Sequence, residues 1–268
     1  MGIRNLLNKN SEEITRSMER VASGRRINRA GDDAAGMALA SLSEGKIRSA
    51  QQAERNALDA LSSAQVAEGG MNEIDNLLIR MRELAIQGAS DTLGGNERGA
   101  LGIEMKELIS EVDRISHATK YFGTTLLDGQ GSEFTYQIGV ENDAPSRITY
   151  DGGMVDLRAS SLGISGINVE DSGSARDALG AIDSAISKVS IPRAQLGAIQ
   201  TRLNSVIHTM GSYTENMSAA LSRIRDADLA SETSNVVRNQ IQVKAAAAVL
   251  SQANTLPLMA LDLVKGIT

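Results

Sequence analysis

Two adjacent carboxylates, Asp32 and Asp33 in "SGRRINRAGDDAAG" (residues 23–36), are the first residues whose types could do chemistry. Such a pair serves acid–base catalysis or a divalent cation only when further ligands converge on it. None lies at suitable spacing, and Arg25, Arg26 and Arg29 stand ready to neutralise the pair instead. Either aspartate is better placed as the N-cap of the helix that follows, accepting from free backbone N–H groups at the positive end of the helix dipole. His117 and His208 are isolated on helical stretches, and the chain has no cysteine, so neither a thiolate zinc site nor a disulfide framework is available. Signatures such as HExxH, GxSxG, a phosphate-cradling glycine loop ending in Lys-Ser/Thr and a dinucleotide fingerprint are all missing. The sequence therefore predicts no enzyme, no catalytic residue, no metal and no cofactor.

The elements that carry these residues are organised by one period. Ala50, Ala53, Ala57, Ala60, Ala64, Ala67, Met71, Ile74, Leu78, Met81 and Ala85 recur at strictly alternating intervals of three and four. A sustained 3.5-residue repeat keeps one narrow seam facing a partner helix only if the helices supercoil. The period returns in Leu101, Met105, Leu108, Val112 and Ile115, and again from Leu179 through Ile182, Ile186, Val189, Leu196, Leu203, Ile207, Met210, Met217 and Leu221 to Ile224. Arg193, Gln200 and Thr214 interrupt that last series, and Gln200 and Thr214 read as register-setting polar positions. The predicted fold is mainly α: an elongated rod of long coiled-coil helices with a small β-hairpin region and with the N- and C-termini paired.

Composition agrees with a close-packed helical seam. Only six of 268 residues are aromatic, and five of them (Tyr121, Phe122, Phe134, Tyr136 and Tyr150) fall in one stretch. There "FTYQIGV" alternates as a strand does, and "SRITYDGGMVDLRA" offers two short strands around Asp151-Gly152-Gly153. Residues 11 to 29 are expected to form an amphipathic helix capped by Ser11 and interrupted by Gly24. The return helix is expected to begin at Ser174 to Asp177 and to contain Pro192. A net charge of −6 without a basic cluster argues against nucleic acid. No apolar run reaches membrane-spanning length, and the opening residues lack the apolar core of a secretory signal. The tail is nonetheless unusually apolar; Val237, Ile241, Leu250, Leu256, Leu261 and Val264 are the candidate core of a polymer, since such a surface makes sense when identical copies bury it.

Five separated motifs, "ASGRRINRAGDDAAGMALA" (22–40), "AERNALDALSSAQVAEGGMNEIDNLLIRMRELAIQ" (53–87), "EVDRIS" (111–116), "FGTTLLDG" (122–129) and "RIRDADLASE…NQI…A…LSQAN" (223–254), resemble bacterial flagellin in the family's order. The resemblance implies a secreted, extracellular subunit that self-assembles into the flagellar filament for motility. Residues 1–33 and 228–268 would form its inner terminal helical domain, and 34–227 a helical rod domain with β-hairpins at about 133–170, without the outer domains of larger flagellins. It further implies a filament cap, an export chaperone on the C-terminal tail and the flagellar type III export apparatus as partners. Compared with related flagellins, about three turns of helix before "RNLLNKN" are expected to be missing. Carried over by motif, Arg80, Leu84 and Glu104 would serve subunit packing first and, on the free monomer, recognition by the host Toll-like receptor for flagellin. The alternatives are a hook-filament junction protein, which shares the terminal motifs, and a coiled-coil signalling protein.

Overall fold

The computed structural model describes residues 2–131, 133–151 and 155–265; for residues 3, 151, 254 and 256–265 it describes the backbone alone. The elements in order are α1 (Gly2–Ser23), α2 (Ala34–Gly88), α3 (Gly95–Ala118), β1 (Lys120–Tyr121), β2 (Thr124–Thr125), β3 (Glu133–Gln137), β4 (Arg147–Asp151), the single turn α4 (Ala159–Leu162), α5 (Ser172–Arg225) and α6 (Leu229–Lys265). The mainly helical reading, with small β-hairpins, is borne out. The chain divides into two compact units, one of Met1–Ile47 with Glu215–Thr268 and one of Arg48–Thr214.

In the unit of Arg48–Thr214, every position of the predicted α2 seam from Ala50 to Ala85 is at most 5% exposed. Small side chains in the first half let neighbouring backbones approach, and Met71, Ile74, Leu78 and Met81 fill the wider second half. Met105 and Val112 of α3 and Ile182, Val189 and Leu196 of α5 complete that core. The α5 seam differs from expectation. Ala175, Ala178 and Ala185 are at most 4% exposed, whereas Leu179 and Ile186 lie at its margin, because at close approach the smallest side chains occupy the axis of contact.

Polar ties fix the alignment of these two helices. Arg193 donates to Asp75 Oδ2 at 2.9 Å and to Asn72, Gln200 Nε2 donates to Glu68 Oε2 at 2.7 Å, and Arg82 Nε donates to Asp183 Oδ1 at 2.7 Å. As residue numbers rise on α2, those of the partners fall on α5, so the pair is antiparallel. The Thr214 hydroxyl is buried without a hydrogen-bond partner and ties nothing. Asp171 starts α5 by accepting from the Ser174 amide at 2.9 Å, three residues before the expected start.

Strand β4 pairs with β3, in the register Glu133↔Asp151 to Gln137↔Arg147, a partner the sequence pattern did not single out. Residues 152–154, on which the predicted turn falls, lie outside the described residues. Downstream, Asp156 forms an isolated bridge to Asp128, supported by Leu157 N–H to the Leu127 carbonyl at 2.8 Å. Short alternating segments specify a face but not a partner. Ile148 of β4 and Ile138, just after β3, pack onto Ala57 and Ala60 of α2 and Leu203 of α5. The β3–β4 pair is anchored by Asn56 Nδ2 to the Gln137 carbonyl at 2.9 Å and by a 2.8 Å bond between Ser63 and the Tyr136 hydroxyl.

In the other unit, α1 and α6 pack together, so the first and last helices of the chain are paired. Helix α1 is not the expected span: Ser11 sits within it, its carbonyl accepting from Thr15 Oγ1, and the helix stops at Ser23. Gly24 follows at φ +67°, a left-handed conformation that costs glycine no Cβ clash. The connections after α1 and before α6 are stitched by Arg26 N–H to the Arg225 carbonyl at 2.6 Å and Ala227 N–H to the Gly24 carbonyl at 2.9 Å. Arg20 adds an ion pair to the largely buried Glu232 at 3.1 Å.

Candidate functional site

The two aspartates diverge. Asp32 Oδ2 turns back to accept from the amides of Asn28 and Arg29, at 3.1 and 3.0 Å, closing the loop before α2. These bonds, Arg29's first, hold its carboxyl below the usual carboxylate range. Asp33 Oδ1 accepts from Gly36 N–H at 2.8 Å at the start of α2. With separate partners, the two carboxylates share no proton and frame no common ligand position. His117 uses Nδ1 on the Asp113 carbonyl of its own helix at 2.8 Å, and His208 stands exposed on α5. Among the described residues no group of three or more His, Asp or Glu is arranged to hold a metal ion.

Arg80 and Glu104 meet across α2 and α3. The Arg80 Nε and Nη2 atoms donate to one Glu104 oxygen at 3.0 and 2.8 Å, while Nη1 donates to Glu83 at 3.0 Å. Glu104, then Glu83, hold the guanidinium pKa above its ordinary value, but the three side chains are about half exposed and contribute little to stability. Leu84 is placed otherwise than expected. It is 1% exposed, inside the core of its own unit. Because α3 as well as α5 covers this half of α2, the buried stripe widens beyond the heptad positions and takes Leu84 in. Exposed aliphatic residues on the two helices include Ile79 and Ile86 of α2 and Ile103 of α3.

The tail helix α6 leaves much apolar surface open. Val237, Ile241 and Val249 are 54, 62 and 55% exposed, Val237 and Ile241 one turn apart on the same side of the helix; Leu250 is half-buried, and Ala246 is buried. Leu6 and Met18 of α1 are each half exposed as well. Leu256, Leu261 and Val264 belong to α6, but their side chains lie outside the described residues. A 470 Å³ recess beside the β1–β2 tip and a 330 Å³ recess near Asn56 are both open to solvent.

Comparison with known proteins places this arrangement. Residues 1–132 match the bacterial flagellin N-terminal helical region and residues 179–264 the bacterial flagellin C-terminal helical region. A flagellin of Halalkalibacterium halodurans is 38% identical, covering 96% of this chain and 93% of its own. The flagellar filament 33 kDa core protein of Treponema phagedenis is 35% identical over 94% of this chain and 92% of its own. The crystal structure of Bacillus cereus flagellin superposes with a TM-score of 0.53 at 29% identity, over 62% of this chain and 94% of that one. Paired terminal helices, a heptad-built central unit and matches at both ends over nearly the whole length lead to one conclusion: the chain belongs to the bacterial flagellin family, the structural subunits of the extracellular flagellar filament.

Proposed function

We propose that this chain polymerises through its terminal helices, residues 1–33 and 228–268 forming the inner domain of the filament and residues 34–227 the surrounding rod, and that it performs no catalysis. The observation that carries this reading is the open apolar surface of Val237, Ile241 and Val249 on α6. Burying the exposed half of each side chain contributes about 1 kcal/mol at the usual value per area, so the three together strengthen a contact by about two orders of magnitude. A monomer that carries such a surface needs it shielded before assembly, which suits a chaperone on the tail, with delivery through the flagellar export apparatus and addition beneath a filament cap. The exposed Arg80 and Glu104 pair, packed between subunits in the polymer, is free on the monomer for a Toll-like receptor; the buried Leu84 supports that face from within.

The double variant V237S/I241S tests the proposal. We expect a soluble, helical monomer whose critical concentration for polymerisation, measured by sedimentation, rises at least tenfold. Filaments forming at the wild-type concentration would overturn it.

A further inference from the structure

Both phenylalanines of the chain, Phe122 and Phe134, and two of its four tyrosines, Tyr121 and Tyr136, line the 470 Å³ recess beside α2. That volume falls within the range of about 300–1,000 Å³ usual for small-molecule sites. Phe122 and Gly123 form the turn between β1 and β2, at φ +46° and +85°. A phenylalanine in the left-handed region is strained, and such strain gathers at ligand clamps. Here it holds the ring 91% exposed and edge-on to Tyr121, at 4.7 Å between centroids. Phe134 and Tyr136, two residues apart on one face of β3, stack with their centroids 6.2 Å apart.

Asp59 of α2 is the charged group in this lining. Its carboxylate enters no ion pair among the described residues, and Arg55, one turn away, is turned instead to Gln52, donating from Nη2 to Oε1 at 2.6 Å. Burial raises the phenol pKa values of Tyr121 and Tyr136, and the Asp59 charge adds to both shifts, so that carboxylate stands close to the two rings. We propose that the recess binds a small organic cation of the quaternary ammonium class, its charge against Asp59 and its methyl groups on the four aromatic rings. The ring faces carry the negative side of the aromatic quadrupole and attract such a cation. Asp59 repels an anion, and a metal ion would find a single carboxylate where it needs several oxygens. A neutral apolar guest would strip water from Asp59 and supply no counter-charge. All of these residues belong to the unit of Arg48–Thr214, so the proposal stands apart from polymerisation through α1 and α6.

The test titrates the full-length monomer, kept below its polymerising concentration, with choline chloride and in parallel with dimethylbutanol, in which carbon replaces the charged nitrogen. Ring resonances of selectively labelled phenylalanine report on the recess alone, since both phenylalanines line it. Saturating shifts with a dissociation constant below about 10 mM are expected for choline, with the neutral isostere at least about fivefold weaker. No saturation by about 10 mM, or equal binding of the two, overturns the proposal. Asp59→Asn, a change on the exposed side of α2, should weaken choline binding about fivefold while the melting temperature stays within about 2 °C of wild type. Unchanged affinity in that variant overturns it as well. None of these outcomes touches the polymer reading, which V237S/I241S decides.

Discussion

The two units of this chain are built from similar long helices but finished differently. Where α2 meets α3 and α5, Met71, Ile74, Leu78, Met81, Met105 and Ile182 are all fully buried. Where α1 meets α6, large side chains on both helices stay about half exposed, Met18 on one and Val237 and Ile241 on the other. Three helices enclose a core, while two leave each helix an open side. The first unit thus completes its own burial, and the second leaves large apolar side chains open, which is the observation the polymer proposal rests on.

Substitution of core residues should expose that contrast most strongly. Leu78→Ala is expected to cost about 2–5 kcal/mol, lowering the monomer melting temperature by about 5–15 °C in a circular dichroism scan. Val237→Ala, on the open side of α6, should move the same melting temperature by less than about 2 °C, within the small range of surface changes. Equal effects would erase the distinction between the units.

A smaller effect should appear in acid. Asp156 accepts from Arg158 at 2.9 and 2.6 Å and from Ser161, and these partners, Arg158 foremost, lower its carboxyl pKa to about 2. A carboxylate with a depressed folded-state pKa stabilises the protein above its unfolded value near 3.8 and loses that contribution as pH falls from there through about 2. The contribution is about 2 kcal/mol, so Asp156→Asn should flatten the dependence of chemical-denaturation stability on pH between 4 and 2. An unchanged slope would show that other carboxylates govern the acid response of this unit.

The smallest change concerns the loop before α2. Asp33→Ala removes the bond to Gly36 N–H and should cost about 1 kcal/mol, whereas Asp32→Ala frees the amides of Asn28 and Arg29 and should loosen the loop without shortening α2. Hydrogen exchange at residues 28, 29 and 36 separates the two. Faster exchange at residue 36 in Asp32→Ala alone would reverse the assignment.

Much of the helical framework was legible before any coordinates. The alternation of three and four along α2 named its buried face position by position, because helical period is a local property of the chain. The same logic misled on α5, where size suggested Leu179 and Ile186 but proximity selected Ala175, Ala178 and Ala185. It also assigned Leu84 outward, since a single helix pattern does not announce that a third helix covers its flank. For Phe122 the signal was present, an aromatic-glycine pair between two β-forming stretches, yet nothing in the pattern told whether the ring turned into the core or into water.

What the sequence by itself determined is therefore everything that depends on repeat length and residue chemistry: long heptad helices, an alanine-rich seam with little room for rings, and an apolar tail. Only the tertiary structure decided which strand β4 joins, which helices cover Leu84, and which charged side chains on α2 and α5 meet. The physical reason is range. Period and capping act over one or two helical turns, while partner choice depends on side chains that lie far apart along the chain and meet only when it has folded.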